Sequence, residues 1–202
     1  MIDTLRHNLE RAVPHAETLK RHAGQARWEQ GGFAVLTLHR PSNVDDPYTL
    51  RAILSAIREV GGRLPVAFAI HPRTRARIEQ YGLEGLLQPP SIFRLPPIGY
   101  LEMLGLMRAA RLVLTDSGGI QEEATSMGIP TLVLRNVTER PEGVEAGVLK
   151  LVGTHSETIF AEAQHLLEDS AAYQAMSTAQ NPFGDGHAAE RIVQSIQAYA
   201  ES

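Results

Sequence analysis

The chain has 202 residues, 43% of them hydrophobic, which is enough to bury one sizeable core. Its 19 basic and 23 acidic residues leave a net charge of −4 with no basic stripe, which argues against nucleic acid as a partner. With no cysteine a disulfide framework and a thiolate metal site are excluded, and no apolar stretch approaches the roughly 18 residues that span a membrane. No basic and apolar leader follows Met1, so the expected location is cytoplasmic.

Residues 3–22 read as helix interrupted at Pro14, and the polar Gly24, Gln25 and Gly31-Gly32 stretch reads as a linker. The division expected is an interdomain helix and linker over 1–32 and a Rossmann-like domain over 33–202. From Phe33, apolar β-rich runs at 33–38, 66–70, 92–95, 112–115 and 131–134 alternate with helical patterns. The helices are expected near 47–60, 74–81, 99–109, 118–127, 156–169 and 187–200. Such alternation predicts an α/β fold, a doubly wound parallel sheet whose ligands sit at the carboxyl ends of the strands.

The loop after the first strand carries His39-Arg40-Pro41-Ser42-Asn43, and the loop after the second carries His71-Pro72-Arg73-Thr74. Both place donors for phosphate oxygens at strand ends, although a single histidine more often serves a loop carbonyl. Asp45-Asp46-Pro47 reads as an ordinary helix start, and no carboxylate or histidine grouping has metal-like spacing.

After the fourth strand come Asp116, Ser117, Gly118 and Gly119, then a helix. Ser117 offers a hydroxyl, and the two glycines leave backbone N–H groups unshielded where the helix dipole favours an anion. Glu123 lies about one turn, or roughly 5.4 Å, beyond that point, where it can accept ribose hydroxyls without facing phosphate. The plainer reading is that Asp116 or Ser117 caps the helix and the glycines make a turn. The loop after the fifth strand, Arg135 to Gly143, is heavily charged; its Arg140 suits a diphosphate and Glu139 or Glu142 suits sugar hydroxyls or proton transfer, the alternative being a solvated surface loop.

Taken in order, the segments Leu38 to Asp45, His71 to Thr74, Thr115 to Glu123, Thr138 to Gly143 and Gly184 to Ile192 resemble the non-hydrolysing UDP-N-acetylglucosamine 2-epimerases. That resemblance implies the carboxyl-terminal half of a glycosyltransferase-B architecture, with an amino-terminal domain absent from this chain. It implies UDP binding at Ser117, Gly118, Gly119 and Glu123, with His39 and Arg140 in the same cleft as groups that act on the leaving diphosphate. Arg40 and His71 match the residues that hold an allosteric UDP-N-acetylglucosamine in some bacterial members. The family eliminates UDP to a glycal and adds it back, needing neither metal nor other cofactor, and the full-length enzyme is expected to be a homodimer. Two departures are Met103, where some members have an aromatic residue near the uracil, and Gly147-Val148-Leu149, where many have Gly-Thr-Asn. The alternatives are the nucleotide-binding domain of another glycosyltransferase-B enzyme, or a stand-alone UDP-sugar-binding module without turnover.

Overall fold

The computed structural model describes residues 1–24, 28 and 32–200. Most of the expected linker therefore lies outside the described residues. Two helices come first, α1 (Ile2–Leu9) and α2 (His15–Ala23), separated at Pro14, whose ring removes the N–H that a continuous helix would need. The αL cap of α2 at Gly24, φ 64°, is a conformation glycine adopts without strain.

β1 (Ala34–Leu38) opens the sheet and runs into the short α3 (Pro41–Val44) and then α4 (Pro47–Gly61). α4 starts as the sequence predicts: the Asp46 carboxylate accepts the Thr49 N–H at 2.8 Å, and Pro47 takes the first helical position. β2 (Val66–Ile70), α5 (Pro72–Gln80), a 3-10 turn at Glu84–Leu86, β3 (Ile92–Leu95) and α6 (Tyr100–Ala109) follow. β4 (Leu112–Thr115), α7 (Gly118–Ser126) and β5 (Thr131–Val133) lead to α8 (Pro141–Glu145) and β6 (Leu149–Leu151). The chain closes through α9 (Ser156–Glu168), α10 (Ser170–Thr178) and α11 (Ala188–Ala200).

All six strands run parallel in the order β3-β2-β1-β4-β5-β6. This is the doubly wound α/β fold expected. The alternation along β1 shows how the two faces are filled. Ala34, Leu36 and Leu38 join one cluster with α4 and α9, while Phe33 and Val35 join the other with α1, α2 and α6. On α4, Leu50, Ile53, Leu54 and Ile57 are completely buried, the i, i+3, i+4, i+7 stripe that seats a helix on a sheet. On the other face α6 touches the α1–α2 connection so closely that a Cβ on Gly105 would stand 1.7 Å from the Val13 carbonyl oxygen. Only glycine fits that crossing.

At the far end Asp3 of α1 accepts the Ala189 N–H at 2.8 Å, giving α11 its cap from another helix, and Arg6 donates to the Asp185 carbonyl at 2.7 Å. α11 itself buries no residue, and Ile192, Val193 and Ile196 on it are exposed. No described helix is long and apolar enough to cross a membrane.

Candidate nucleotide-diphosphate site

The strand order reverses between β1 and β4, so the loops that leave their carboxyl ends diverge and open a crevice. One of these loops holds His39 and the other Ser117. A cleft of about 210 Å³ lies there, with His39, His71, Pro97, Met103, Ser117 and Ile120 in its wall. The structure thus joins the first, second and fourth strand loops singled out in the sequence. Met103, the departure from the aromatic pattern, is part of the same wall.

At the start of α7 neither Asp116 nor Ser117 caps the helix through its side chain. Ser117 is instead fixed from behind: its N–H donates to Thr115 Oγ1 at 3.0 Å, and that hydroxyl shares a hydrogen bond of 2.6 Å with Thr37 Oγ1. The first turn of α7 therefore keeps its unpaired N–H groups and its positive dipole end free of any side-chain acceptor. Gly118 and Gly119 are required neither by backbone angle nor by packing within the described residues. Both have ordinary negative φ. A Cβ on Gly118 would meet nothing nearer than Arg140 Nη2 at 3.9 Å, and one on Gly119 would rest on the Met1 side chain at 3.4 Å. What the missing side chains leave is open backbone at a helix start, next to a guanidinium.

Asp116, one of the two caps that the plainer reading of the sequence offers, does something else. It is completely buried and faces the β1 loop. Its carboxylate accepts the N–H of His39 at 3.0 Å, the N–H of Arg40 at 2.8 Å and the Asn43 amide at 3.2 Å, and it meets His39 Nδ1 at 2.9 Å. Asn43 also donates to the Leu134 carbonyl at 2.8 Å, tying the loop to the end of β5. His71 caps α5, its Nδ1 accepting the Arg73 N–H at 3.2 Å, and its ring centroid stands 5.7 Å from that of His39. Arg40 turns back along Asp116, its Nε donating to the Asp116 carbonyl at 3.3 Å, and its Nη2 lies 3.4 Å from Glu139.

Arg140 is the N-cap residue of α8, a single helical turn that the sequence presents only as a charged loop. Its backbone N–H donates to Thr138 Oγ1 at 3.1 Å, and the Thr138 hydroxyl donates to buried Gln121 Oε1 at 2.8 Å, so α7 positions the loop. The guanidinium pairs with Glu122 through Nε and donates to the Glu139 carbonyl at 2.9 Å through Nη1. Glu139 itself is held by Arg135 at 2.5 Å, and this partner above all, with Arg40 also contributing, lowers its carboxyl to about 2. Such a group is a poor base. Glu142 is exposed in the first turn of α8.

Glu123 sits one turn into α7, buried, and accepts the Tyr100 hydroxyl at 2.9 Å. Burial raises its carboxyl above the usual glutamate range, and the tyrosine partner offsets that only in part. Desolvation and the neighbouring carboxylate push the Tyr100 hydroxyl upward as well. Asp116, Asn43, Gln121, Thr138 and Tyr100 were not picked out from the sequence as site residues. Among the described residues no group of three histidine or carboxylate side chains gathers as a metal set.

The family described as UDP-N-acetylglucosamine 2-epimerase matches residues 1–197. The UDP-N-acetylglucosamine 2-epimerase of Bacillus subtilis is 40% identical over 165 residues, which is 80% of this chain and 42% of that protein. Among solved structures, the Methanocaldococcus jannaschii UDP-GlcNAc 2-epimerase in complex with UDP-GlcNAc and UDP superimposes with a TM-score of 0.82 at 34% identity, over 98% of this chain and 52% of that one. The enzyme from Neisseria meningitidis bound to UDP-GlcNAc gives a TM-score of 0.80 at 32% identity, over 98% and 53%. The chain spans about half the length of the curated relatives it matches.

Proposed function

This chain belongs to the UDP-N-acetylglucosamine 2-epimerase family, and from that premise we propose that it supplies the UDP-holding, carboxyl-terminal half of an enzyme interconverting UDP-N-acetylglucosamine and UDP-N-acetylmannosamine. The single observation that carries the reading is the pair of glycines at the start of α7, which the described packing does not require and which leave donors open beside Arg140. In this reading the diphosphate lies on the N–H groups of Gly118 and Gly119 and the Ser117 hydroxyl, Arg140 and His39 flank it, and Glu123 addresses the ribose. His71, in the cleft wall, and Arg40, which lies against Glu139, are the candidates for a second, regulatory UDP-sugar.

The carbon inverted, carbon 2 of the amino sugar, lies beside no carbonyl, so its proton is not acidic. Loss of UDP as a leaving group to give a glycal, followed by re-addition, circumvents that difficulty. Groups that meet charge growing on departing UDP lower the barrier, and those groups are the α7 start, His39 and Arg140. The Glu139 carboxyl, held low by Arg135 and Arg40, is badly matched to proton abstraction, and in this reading the carbon 2 acid and base lie on an amino-terminal domain outside this chain. The exposed Ile192, Val193 and Ile196 on α11 suit a surface that such a domain covers. The expected assembly is a cytoplasmic homodimer of the two-domain enzyme.

The test is Gly118→Ala. The added methyl meets no atom nearer than 3.9 Å, so stability should hold or rise slightly, while UDP affinity measured by calorimetry with a chelator present falls about tenfold or more. A folded variant that binds UDP as tightly as the parent places the diphosphate elsewhere.

A further inference from the structure

The hub of the cleft is a carboxylate that touches no open space. Around Asp116 every backbone and amide contact is a donor: His39 N–H, Arg40 N–H and the Asn43 amide. A carboxylate accepting three donors has nothing to offer an unprotonated nitrogen, so its fourth contact, His39 Nδ1 at 2.9 Å, is an N–H as well. That leaves Nε2 as the nitrogen of the half-exposed His39 ring that is available to the cleft it shares with Ser117. The neighbouring His71 has the opposite arrangement. Its Nδ1 accepts the Arg73 N–H, so in the neutral ring the proton is on Nε2.

We propose that Asp116 is a positioning residue for the elimination step: it holds the His39 ring with a proton on Nδ1, so that Nε2 can carry the proton delivered to departing UDP. The proposal rests on the function stated above. In the step, the bond from sugar carbon 1 to the β-phosphate oxygen breaks and its electron pair stays on that oxygen, which takes the Nε2 proton. The carbon 2–hydrogen pair becomes the new carbon 1–carbon 2 double bond, and its proton goes to a base outside this chain. His39 is left neutral with Nδ1–H still on Asp116, and re-addition of UDP returns the proton to Nε2. Asp116 stays a carboxylate throughout, orienting the ring as the acid of a catalytic triad does. An asparagine at 116 would keep an acceptor for the loop N–H groups but turn its amide N–H₂ toward Nδ1. The ring would then hold its single proton on Nε2, and giving that proton away would leave an imidazolate, so acid delivery would end.

Long-range proton–nitrogen spectra of the chain with nitrogen-15 histidine decide this, with His39 and His71 assigned from His39→Gln and His71→Gln. In the free protein above neutral pH, His39 is expected as the Nδ1–H form and His71 as the Nε2–H form. With saturating UDP-N-acetylglucosamine, both His39 nitrogens are expected to be protonated. In Asp116→Asn the His39 signal moves to the Nε2–H form, His71 stays as it was, and the ligand no longer brings a proton to His39 Nδ1. A spectrum with His39 of the unmodified chain in the Nε2–H form overturns the proposal by itself, even if the asparagine variant does not fold. Binding that leaves His39 singly protonated overturns the acid role while leaving UDP recognition intact. Failure of the unmodified chain to bind the ligand at all instead removes the functional reading on which the role depends, whatever tautomer His39 shows.

Discussion

After β1, the chain gives the His39 and Arg40 N–H groups and the Asn43 amide to one buried carboxylate, Asp116. After β5, the charged groups pair among themselves and with α7. Glu139 has a side chain 46% exposed and divides itself between Arg135 and Arg40, and Arg140 pairs with the more enclosed Glu122. The two loops flank the same helix start, yet one is anchored on a single interior carboxylate and the other on several ion pairs and the Thr138 hydroxyl on Gln121 of α7. A buried carboxylate with its donors satisfied fixes geometry, because breaking it strands several polar groups away from water. The Arg40–Glu139 pair, 36% and 46% exposed, contributes little and exchanges readily, so Arg40 can leave it without unsettling the fold.

The strongest way to break this contrast is Asp116→Ala. Two backbone N–H groups and a buried amide lose their acceptor, and the expected loss is about 3 kcal/mol or more in urea unfolding. A loss of under about 1 kcal/mol would mean that the β1 loop is no better anchored than the β5 loop.

Next in size are losses of ligand rather than of stability. Arg140→Ala should weaken UDP about tenfold or more, since the guanidinium is a charge-assisted donor sited beside Gly118, and because it also strips the partner from the mostly buried Glu122 the affinity is read at a temperature where the variant stays folded. Glu123→Gln should weaken UDP by a similar factor but leave pyrophosphate nearly unchanged, because in the proposed pose the carboxylate meets ribose. Equal losses for the two ligands would move Glu123 to the phosphates. Glu123 also carries a pH signature. Its folded carboxyl lies above the ordinary 4.5, so as pH rises through that interval the unfolded chain has already lost a proton that the folded chain still holds. Stability contributed by that site falls as pH rises, and Glu123→Gln flattens the slope.

The smallest effect is expected at Glu139. Its carboxyl is lowered to about 2 in the folded chain, so its contribution is present above the ordinary 4.5 and fades as pH falls toward about 2. Being nearly half exposed, it should cost under about 1 kcal/mol as Glu139→Gln at neutral pH. A larger loss would show that the β5 loop is structural after all.

Much of the architecture could be read from periodicity, because buried parallel strands are short apolar runs and α4 shows an unbroken i, i+3, i+4, i+7 stripe. What escaped was short or ambiguous. β6 is three residues with exposed Lys150 at its centre, α3 and α8 are single turns begun by proline, and α10 follows α9 across Asp169 with no Gly or Pro to mark the break. In the cleft, loops after strands pointed to His39, His71 and Ser117, which line one wall. Asp116 was legible only as a candidate cap, because nothing local in the sequence says that its partners lie 73 to 77 residues earlier. Tyr100 and Thr138 were equally hidden, since their partners Glu123 and Gln121 meet them only through the fold.

The bare flank of α11 has a consequence for how the chain fluctuates. A helix fastened at its start by Asp3 and Arg6, with no buried side chain along its thirteen residues, can fray and re-form without disturbing the sheet. Its amides should exchange with solvent deuterium through local opening, orders of magnitude sooner than those of α4, whose release requires the whole core to come apart. The same amides then act as a reporter: whatever settles on Ile192 and Ile196 should slow their exchange before it alters any other part of the molecule.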